Sequence, residues 1–333
     1  MTRTVFTCGD INGIGPEIVV KTISRIFKAG SKAELIFVCP QNVFELYYKI
    51  TKATFRFRIV DKNSLSDSHL NLIRLPNAKL KIGYPTKTSG QVSFQSIKKS
   101  LSLIDQNYVD VLVTAPISKE AFNIGKIEFP GHTELLAKHE ESSNYMMLFL
   151  SGKIKIGLLT IHLPISEISN QIKVEKIIKA IELINITSKR DLGIKIPKIA
   201  VLALNPHAGE NGLIGDEENK IIIPAIKSLQ KKIDVSGPFV PDAFWGNKDF
   251  KKFDIILAMY HDQALIPFKL LNFNSGVNFT AGLKLIRTSP DHGTAYNIAG
   301  LNKADESSIY QSYKYAIKIF QNRNHFIAQS ESY

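Results

Sequence analysis

Short runs of β-branched and other apolar residues alternate along the chain with longer stretches in which apolar residues recur every three or four positions. The short runs predict strands at 4–7, 34–38, 55–60, 109–113, 145–150, 154–160, 198–203 and 254–259. Helical spacing is clearest in three sets of apolar residues, which begin at Phe94, Val174 and Ile309. This alternation predicts an α/β fold, in which ligands bind beyond the carboxyl ends of the strands.

The composition of the 333 residues is 44% hydrophobic and 22% charged, as in an ordinary globular protein of about two domains. No apolar run approaches the roughly 18 residues that a membrane-spanning helix needs, and the first residues lack the pattern of a signal peptide. We therefore expect a cytoplasmic protein with no membrane partner. Cys8 and Cys39 each close a strand-like run, and we expect both to be buried thiols.

The charge balance of 42 Lys+Arg against 30 Asp+Glu gives a net charge of +12, which raises the question of a nucleic-acid partner. The lysines are scattered, however, and form no basic stripe interleaved with aromatic residues. A solvated surface therefore explains the charge better than nucleic-acid binding, which we do not expect. The positive field would still attract a small phosphorylated substrate.

A glycine-rich loop follows the first predicted strand, at residues 9–17. Its three glycines permit close backbone approach, and the helix opened by Pro16 begins with N–H groups that suit an anion. The loop contains neither Gly-x-Gly-x-x-Gly nor Gly-Lys-Ser/Thr, so both common nucleotide-binding fingerprints are absent. A tight strand-to-helix turn explains the loop equally well.

Two further loops carry polar residues. Ser118, after the predicted strand 109–113, suits a helix cap, although its position keeps it a candidate wall of a site. In Phe129-Pro130-Gly131-His132-Thr133-Glu134 a helix is expected to begin, and its first turn would favour an anionic ligand. Thr133 can be explained as the cap of that helix, whereas His132 is harder to explain by structure alone.

Three histidines lie just past the ends of predicted strands: His162, His207 and His261. In a sheet of parallel strands these ends gather along one edge, so the three imidazoles could converge on one divalent cation. One such histidine is more often an ordinary loop residue, but three in equivalent positions favour a metal site. No motif with metal-ligand spacing, such as Cys-x-x-Cys, proves it.

A last polar cluster begins at Lys269 and ends in Ser289-Pro290-Asp291-His292-Gly293-Thr294-Ala295. Arg287 ends a short apolar run, and its planar guanidinium suits a carboxylate or a phosphate, with a salt bridge as the structural alternative. The turn from His292 to Ala295 is more elaborate than a plain connection requires.

Taken together, these loops resemble the 4-hydroxythreonine-4-phosphate dehydrogenase family of vitamin B6 biosynthesis, from about Cys8 to Gly300. The family is in turn similar to isocitrate and isopropylmalate dehydrogenases, which bind NAD without the usual glycine fingerprint. The resemblance rests on six ordered motifs: Gly13-Ile14-Gly15-Pro16-Glu17, Thr114-Ala115-Pro116, Gly131-His132-Thr133-Glu134, Leu204-Asn205-Pro206-His207-Ala208-Gly209-Glu210, Tyr260-His261-Asp262-Gln263 and the 289–295 segment.

The resemblance implies two α/β/α domains with the active site in the cleft between them. The first would comprise 1–115 and 270–333, and the second 116–269 with the metal ligands and dimer contacts. It further implies a homodimer whose active site is shared across the interface.

Residue roles follow from the same resemblance, matched position by position. The implied metal ligands are His162, His207 and His261, one of them lent by the partner subunit, for one Zn, Mg or Co ion per site. The implied substrate-binding residues are His132, Thr133, Lys269, Asn278 and Arg287, with His132 and Asp242 as candidate catalytic residues. The implied NAD or NADP contacts are Gly13, His292, Gly293, Ala295 and Asn297.

The implied reaction is oxidation of 4-phosphooxy-L-threonine to its 3-oxo acid, which then loses carbon dioxide to give 3-amino-2-oxopropyl phosphate. A divalent cation would lower the pKa of the substrate hydroxyl and polarise the ketone. The proton acceptor stays open between His132, Asp242 and metal-bound water, and so does which of Lys269 and Arg287 binds phosphate.

Two alternatives remain at this point. A related dehydrogenase would oxidise phosphorylated threonate or erythronate, or a diol, with the same loops. In a different class, the three histidines would serve a zinc-dependent hydrolase of a phosphorylated small molecule.

Overall fold

The computed structural model describes residues 2–60, 69–129, 131–272 and 274–330. The strands are β1 Arg3–Thr7, β2 Glu34–Pro40, β3 Phe57–Ile59, β4 Leu70–Leu75, β5 Val111–Val113, β6 Met146–Leu150, β7 Lys155–Leu158, β8 Ile199–Leu202, β9 Val235–Phe239, β10 Ile255–Ala258, β11 Val277–Ala281 and β12 Ile286–Pro290. The helices are α1 Gly15–Lys28, α2 Gln41–Ile50, α3 Lys87–Asp105, α4 Lys119–Ile124, α5 His132–His139, α6 Ile165–Gln171, α7 Val174–Arg190, α8 Ile223–Leu229, α9 Pro241–Gly246, α10 His261–Asn272 and α11 Ser307–Ser330.

The α/β class predicted from the sequence is confirmed. All eight predicted strands and the three predicted helices, α3, α7 and α11, are present. The strands β4, β9, β11 and β12 are additional to those predicted. Within the described residues, no helix is both long enough and apolar enough to cross a membrane.

The chain divides into two compact units. Unit 1 comprises Met1–Glu141 and Lys284–Phe320, and unit 2 comprises Ser142–Leu283 and Gln321–Tyr333. These bounds differ from the predicted 1–115 with 270–333 and 116–269. The segment after Ala115 lies in unit 1, as does α5, while β11 lies in unit 2 because it pairs with β6.

Unit 1 contains an entirely parallel sheet in the order β3-β4-β2-β1-β5-β12. The central strands are buried almost throughout, so both faces of the sheet are covered. Cys8 and Cys39 are free and buried at the ends of β1 and β2, as expected, and burial raises the pKa of the Cys39 thiol.

Unit 2 contains a mixed sheet in the order β11-β6-β7-β10-β8-β9. The strands β7, β10, β8 and β9 are parallel, whereas β6 is antiparallel to both of its neighbours. An apolar core that includes Phe149, Phe244 and Phe268 covers one face. Since β7, β10 and β8 run in the same direction, the loops that follow them emerge at the same edge.

Candidate active-site residues

Arg287 is a buried cation of unit 1. It follows the apolar run at 283–286, as the sequence indicated, and is the second residue of β12, paired with Leu112 of β5. Its side chain is 2% exposed, and its Nε donates a 2.9 Å hydrogen bond to the hydroxyl of Thr114. Burial lowers the pKa of Arg287 to about 9, against the opposing effect of Glu134, so the guanidinium is still charged at neutral pH.

His132 begins α5 in the same unit, and its Nε2 is buried without a hydrogen-bond partner. Burial, together with the positive charge of Arg287, holds the pKa of His132 well below its ordinary value. The imidazole is therefore neutral at pH 7, with one ring nitrogen available to a ligand. A buried polar atom without a partner is rare in native proteins and indicates a place where a ligand or water binds.

Thr133 is also buried, but it does not cap α5. The cap position is Gly131, which has no side chain to bond the first N–H groups, and Thr133 lies inside the first turn. The structural explanation offered for the hydroxyl of Thr133 is therefore wrong. Pro130 of this motif lies outside the described residues. By contrast, Ser118 is a cap, since its hydroxyl accepts a 3.1 Å hydrogen bond from the Ala121 N–H at the start of α4.

The glycine loop of residues 9–17 packs against the loop of residues 292–297, also in unit 1. The Ile14 N–H donates a 3.0 Å hydrogen bond to the carbonyl of Thr294, and a Cβ on Gly13 would lie 2.7 Å from that oxygen. Gly13 must therefore be glycine because of contacts within the chain. Its expected role in cofactor binding is not tested by this packing.

Asp10 of the glycine loop links that loop to the 292–297 loop through a hydrogen bond. This buried carboxylate accepts hydrogen bonds of 2.9 Å each from the Tyr296 hydroxyl and the Ser89 hydroxyl, and burial raises its pKa. The outer side of the 292–297 loop is open, since a Cβ on Gly293 would meet no other atom within 4 Å, and Asn297 is exposed. Polar exposed residues on a fixed loop fit a dinucleotide, so the residues present are compatible with NAD or NADP.

The three predicted metal ligands all belong to unit 2. His162 follows β7, His207 follows β8 and His261 begins α10 after β10, so the expectation that they follow strand ends at one edge is confirmed. The rings of His162 and His261 have centroids 6.0 Å apart, and Nδ1 of His261 lies 2.7 Å from a carboxylate oxygen of Asp262.

Among the residues that the structure describes, no group of three or more metal-ligating side chains in the single chain is arranged to hold a metal ion. The donor set nevertheless fits a borderline divalent cation: the exposed imidazole of His162 and the partly exposed imidazole of His261 lie close together, and His207 follows the neighbouring strand. That these residues share one cation stays a prediction.

The other predicted site residues also lie in unit 2. Lys269 is half-buried on α10, and Asp242 is exposed in the first turn of α9. Asn278 lies on β11, and its side-chain oxygen is buried without a hydrogen-bond partner. The predicted substrate-binding set is thus divided, with His132, Thr133 and Arg287 in unit 1 and Lys269 and Asn278 in unit 2.

A left-handed turn after β8 was not predicted. Residues 207–211 all have positive φ, of 52°, 53°, 76°, 44° and 58°, and only Gly209 among them is glycine. Each non-glycine residue in this region costs about 1–2 kcal/mol, so the turn must be held by its surroundings. The buried carboxylate of Glu218 lies beneath it and is a further residue that the sequence interpretation missed.

The family model described as "Pyridoxal phosphate biosynthetic protein PdxA" matches residues 31–316. The chain belongs to the PdxA family. A curated relative from Bacteroides thetaiotaomicron, a 4-hydroxythreonine-4-phosphate dehydrogenase, is 39% identical over 328 residues, covering 96% of this chain and 89% of the relative. Another relative, a D-threonate 4-phosphate dehydrogenase from Pectobacterium atrosepticum, is 38% identical over 320 residues. The matched region covers 94% of this chain and 98% of the relative.

Solved structures agree with this membership of the PdxA family. The crystal structure of 4-hydroxythreonine-4-phosphate dehydrogenase from Klebsiella pneumoniae has a TM-score of 0.83 at 35% identity, covering 96% of this chain and all of that one. Isocitrate dehydrogenase from Methylococcus capsulatus has a TM-score of 0.53 at 10% identity, covering 97% and 87%, which shows the shared fold alone. The chain is an oxidoreductase of the PdxA family, so the alternative of a zinc-dependent hydrolase is set aside.

Proposed function

We propose that the chain oxidises 4-phosphooxy-L-threonine with NAD or NADP, and that the resulting 3-oxo acid loses carbon dioxide to give 3-amino-2-oxopropyl phosphate. This would be its step in pyridoxal phosphate biosynthesis. The names of the similar relatives support the substrate, and six ordered motifs of the sequence carry the resemblance.

The observation that carries the proposal is the arrangement of Arg287, Thr114 and His132 in unit 1. A buried guanidinium whose direction is set by the bond from its Nε to Thr114 is suited to pairing with a carboxylate or phosphate oxygen. Beside it, a neutral imidazole with an unpartnered Nε2 can give or accept one hydrogen bond. The combination suits a small substrate that carries both an anion and a hydroxyl.

The proton acceptor remains a choice between His132, Asp242 and a metal-bound water. His132 is neutral at pH 7 and can hold a proton at Nε2, although burial and, after it, the nearby positive charge of Arg287 lower its pKa and make it a weak base. Asp242 is a carboxylate in an exposed position. Variants of His132 and Asp242 would separate these two candidates when the pH dependence of kcat is compared. Only replacement of the true acceptor should remove the fall in kcat at low pH.

His162, His207 and His261 would hold the divalent cation, Zn, Mg or Co. When bound, the cation supplies Lewis acidity to the substrate hydroxyl and ketone oxygens. The imidazole of His162 is exposed and that of His261 is partly exposed, and their rings lie near each other. The Asp262 carboxylate beside Nδ1 of His261 favours the tautomer with Nε2 free to coordinate.

We propose a homodimer in which one histidine ligand comes from the partner subunit, as the resemblance implies. Support comes from large aliphatic side chains that are exposed in the segments after β7, β8 and β10. These are Leu163 (37% exposed), Ile165 (79%), Leu213 (84%), Ile266 (60%) and Leu270 (83%). Such exposed apolar surface is typical of an interface between subunits. The cytoplasmic location expected from the sequence also stays a prediction.

The loop of residues 292–297 would bind the dinucleotide through His292, Gly293, Ala295 and Asn297. Asp10 and Tyr296 would keep this loop in place from its inner side, so that the outer side is preorganised. The choice between NAD and NADP would follow from comparing the KM of the two.

The experiment is an absorbance assay for NADH or NADPH with 4-phosphooxy-L-threonine, with and without a chelator. We expect turnover that the chelator abolishes and added Co²⁺ restores. Production of neither reduced cofactor under any metal condition would contradict the proposal.

A second candidate substrate is 4-phospho-D-threonate, because one similar relative is a D-threonate 4-phosphate dehydrogenase at 38% identity. The two substrates differ at carbon 2, which carries an amino group in 4-phosphooxy-L-threonine and a hydroxyl in 4-phospho-D-threonate. The ratio of kcat/KM values for the two substrates decides between them, and we expect it to favour 4-phosphooxy-L-threonine.

A further inference from the structure

The turn that carries His207 has a backbone conformation that its own sequence does not favour. Five consecutive residues, 207–211, are left-handed, although side chains other than glycine disfavour that region. Backbone bonds close the turn: the Ala208 N–H donates to the Asn205 carbonyl at 3.2 Å, the Leu213 N–H to Glu210 at 3.3 Å and the Ile214 N–H to Gly209 at 3.1 Å. Because local preference opposes this conformation, contacts from outside the turn must help to hold it.

Glu218 supplies that support from the first position of a π-helical turn before α8. It is 1% exposed, and its Oε1 accepts hydrogen bonds of 2.8 Å from both the Leu204 and Asn205 N–H groups. Its Oε2 accepts a 2.9 Å hydrogen bond from the Asn205 side-chain amide. A Cβ on Gly209 would lie 2.7 Å from the same Oε2, so the carboxylate lies directly against the middle of the turn.

A second carboxylate extends this support. Oε2 of Glu217 accepts a 2.7 Å hydrogen bond from the Asn205 amide, and its Oε1 accepts one from the Ser169 hydroxyl on α6. These bonds lower the pKa of Glu217, with that from Ser169 the larger cause. Because α6 begins three residues after His162, the same chain of hydrogen bonds reaches from the His207 turn to the segment after His162.

We propose that Glu218 is a positioning residue that holds the 207–211 turn in its left-handed form and thereby presents the His207 imidazole to the cation. The part that concerns the cation rests on the proposed function. Glu218 contacts neither substrate nor cation; it acts through the backbone of Leu204 and Asn205 and through the turn. Removing such an outer partner of a metal ligand typically lowers metal affinity about 10–100-fold.

The test variant is Glu218→Gln, which keeps the volume of the side chain. Both oxygens of Glu218 accept N–H groups, so the amide NH₂ of glutamine must face a donor whichever way it turns. The matched control is Glu182→Gln, at an exposed position on α7 of the same unit. The probe is Co²⁺ alone, titrated by its visible absorption, on the full chain.

We expect Glu218→Gln to raise the Kd for Co²⁺ by about 10–100-fold and to lower kcat, while the KM for the phosphorylated substrate stays unchanged. Backbone amides of residues 205–212 should exchange hydrogen faster than in wild type, with no change elsewhere in unit 2. Glu182→Gln should match wild type in each measurement. Wild-type Co²⁺ affinity and wild-type exchange in Glu218→Gln would overturn the proposal.

Failure of the proposed function gives a different result. If wild type binds no Co²⁺ and reduces no NAD, the metal assignment falls, and the exchange of residues 205–212 alone decides whether Glu218 holds the turn. Loss of the far-ultraviolet circular dichroism signal would show that Glu218→Gln does not fold. In that case Asn205→Ala is the test variant. It removes the side-chain bonds to Oε2 of both Glu218 and Glu217 and leaves the two backbone bonds to Glu218, so a smaller increase in exchange supports the proposal and none overturns it.

Discussion

The hydroxyl of Thr114 accepts a 2.9 Å hydrogen bond from Nε of Arg287, within unit 1 and out of contact with solvent. The two residues are brought together because β5 and β12 are parallel neighbours, and the N–H of Thr114 also donates to the carbonyl of Thr288 at 3.0 Å. This bond fixes one edge of the guanidinium. Thr114 therefore sets the direction in which Arg287 presents its other N–H groups.

Replacing Thr114 by valine keeps the volume and removes this acceptor. A hydrogen bond to a charged group contributes about 1.5–3 kcal/mol, so we expect kcat/KM for the phosphorylated substrate to fall about 10–100-fold. Steady-state kinetics measure the change. The control is Thr22→Val on α1, where a buried hydroxyl has no hydrogen-bond partner, and it should leave kcat/KM unchanged. Equal kinetics in Thr114→Val and wild type would contradict this role.

The lowered pKa of His132 predicts a pH-dependent stability. Above a pH of about 6.5 the imidazole is neutral in both the folded and unfolded states, so its full contribution is present. As pH falls below that value the unfolded state takes up a proton first, and stability is lost by up to about 1.4 kcal/mol per pH unit until the folded-state pKa is reached. Urea unfolding across this range should show the loss in wild type.

In His132→Gln this loss should be smaller, because no ring is left to titrate. The comparison variant is His325→Gln on α11, whose ring is exposed and lies 2.8 Å from the side-chain amide of Gln329, and it should keep the wild-type profile. An identical pH dependence in His132→Gln and wild type would refute a depressed pKa.

Gly13→Ala tests the packing of the glycine loop. The added Cβ would lie 2.7 Å from the Thr294 carbonyl, so the loop of residues 292–297 must shift. We expect a loss of about 1–3 kcal/mol in the free energy of unfolding and a raised KM for the dinucleotide. Gly246→Ala, at the end of α9 where a Cβ meets nothing within 4 Å, should be neutral or stabilising by up to about 1 kcal/mol.

Replacing His207 by alanine should abolish NADH production without altering the circular dichroism of the chain. The ring is exposed, so its loss leaves no cavity in the core. His162→Ala and His261→Ala should behave alike, whereas His325→Ala should retain activity. Turnover at the wild-type rate by His207→Ala in buffer treated with chelator would remove the metal from the mechanism.

The sequence was sufficient to predict the α/β class and the positions of the three histidines after strands. These strands, β7, β8 and β10, are short and almost wholly apolar, and parallel pairing then puts their ends at one edge. Such a run of buried β-branched residues has few other structural explanations.

Other strands carry no such signal. The strand β12 reads Ile286, Arg287, Thr288, Ser289 and Pro290, yet all five residues are buried. Its polar side chains are satisfied by partners distant in sequence, as when the Thr288 hydroxyl donates to the carbonyl of Ser312. Periodicity cannot reveal a strand whose burial depends on such contacts, and for that reason Arg287 was expected at the end of a run rather than inside a strand.

The left-handed turn at 207–211 was equally hidden. Only one of its residues is glycine, so local preference predicts right-handed backbone. The conformation depends on Glu218, seven residues beyond the turn, whose burial cannot be inferred from a stretch as polar as Asp216-Glu217-Glu218-Asn219.

The last turns of α11 set a limit to shortening or fusing the protein at its C-terminus. Arg323 is 8% exposed and bonds the fully buried carboxylate of Asp191 at 2.7 Å, and Asn322 donates to the carbonyl of Asp191 at 2.8 Å. A chain cut before Asn322 would leave that carboxylate inside unit 2 with Arg190 as its remaining cation. An affinity tag is therefore better joined after the end of α11 than substituted for its final residues.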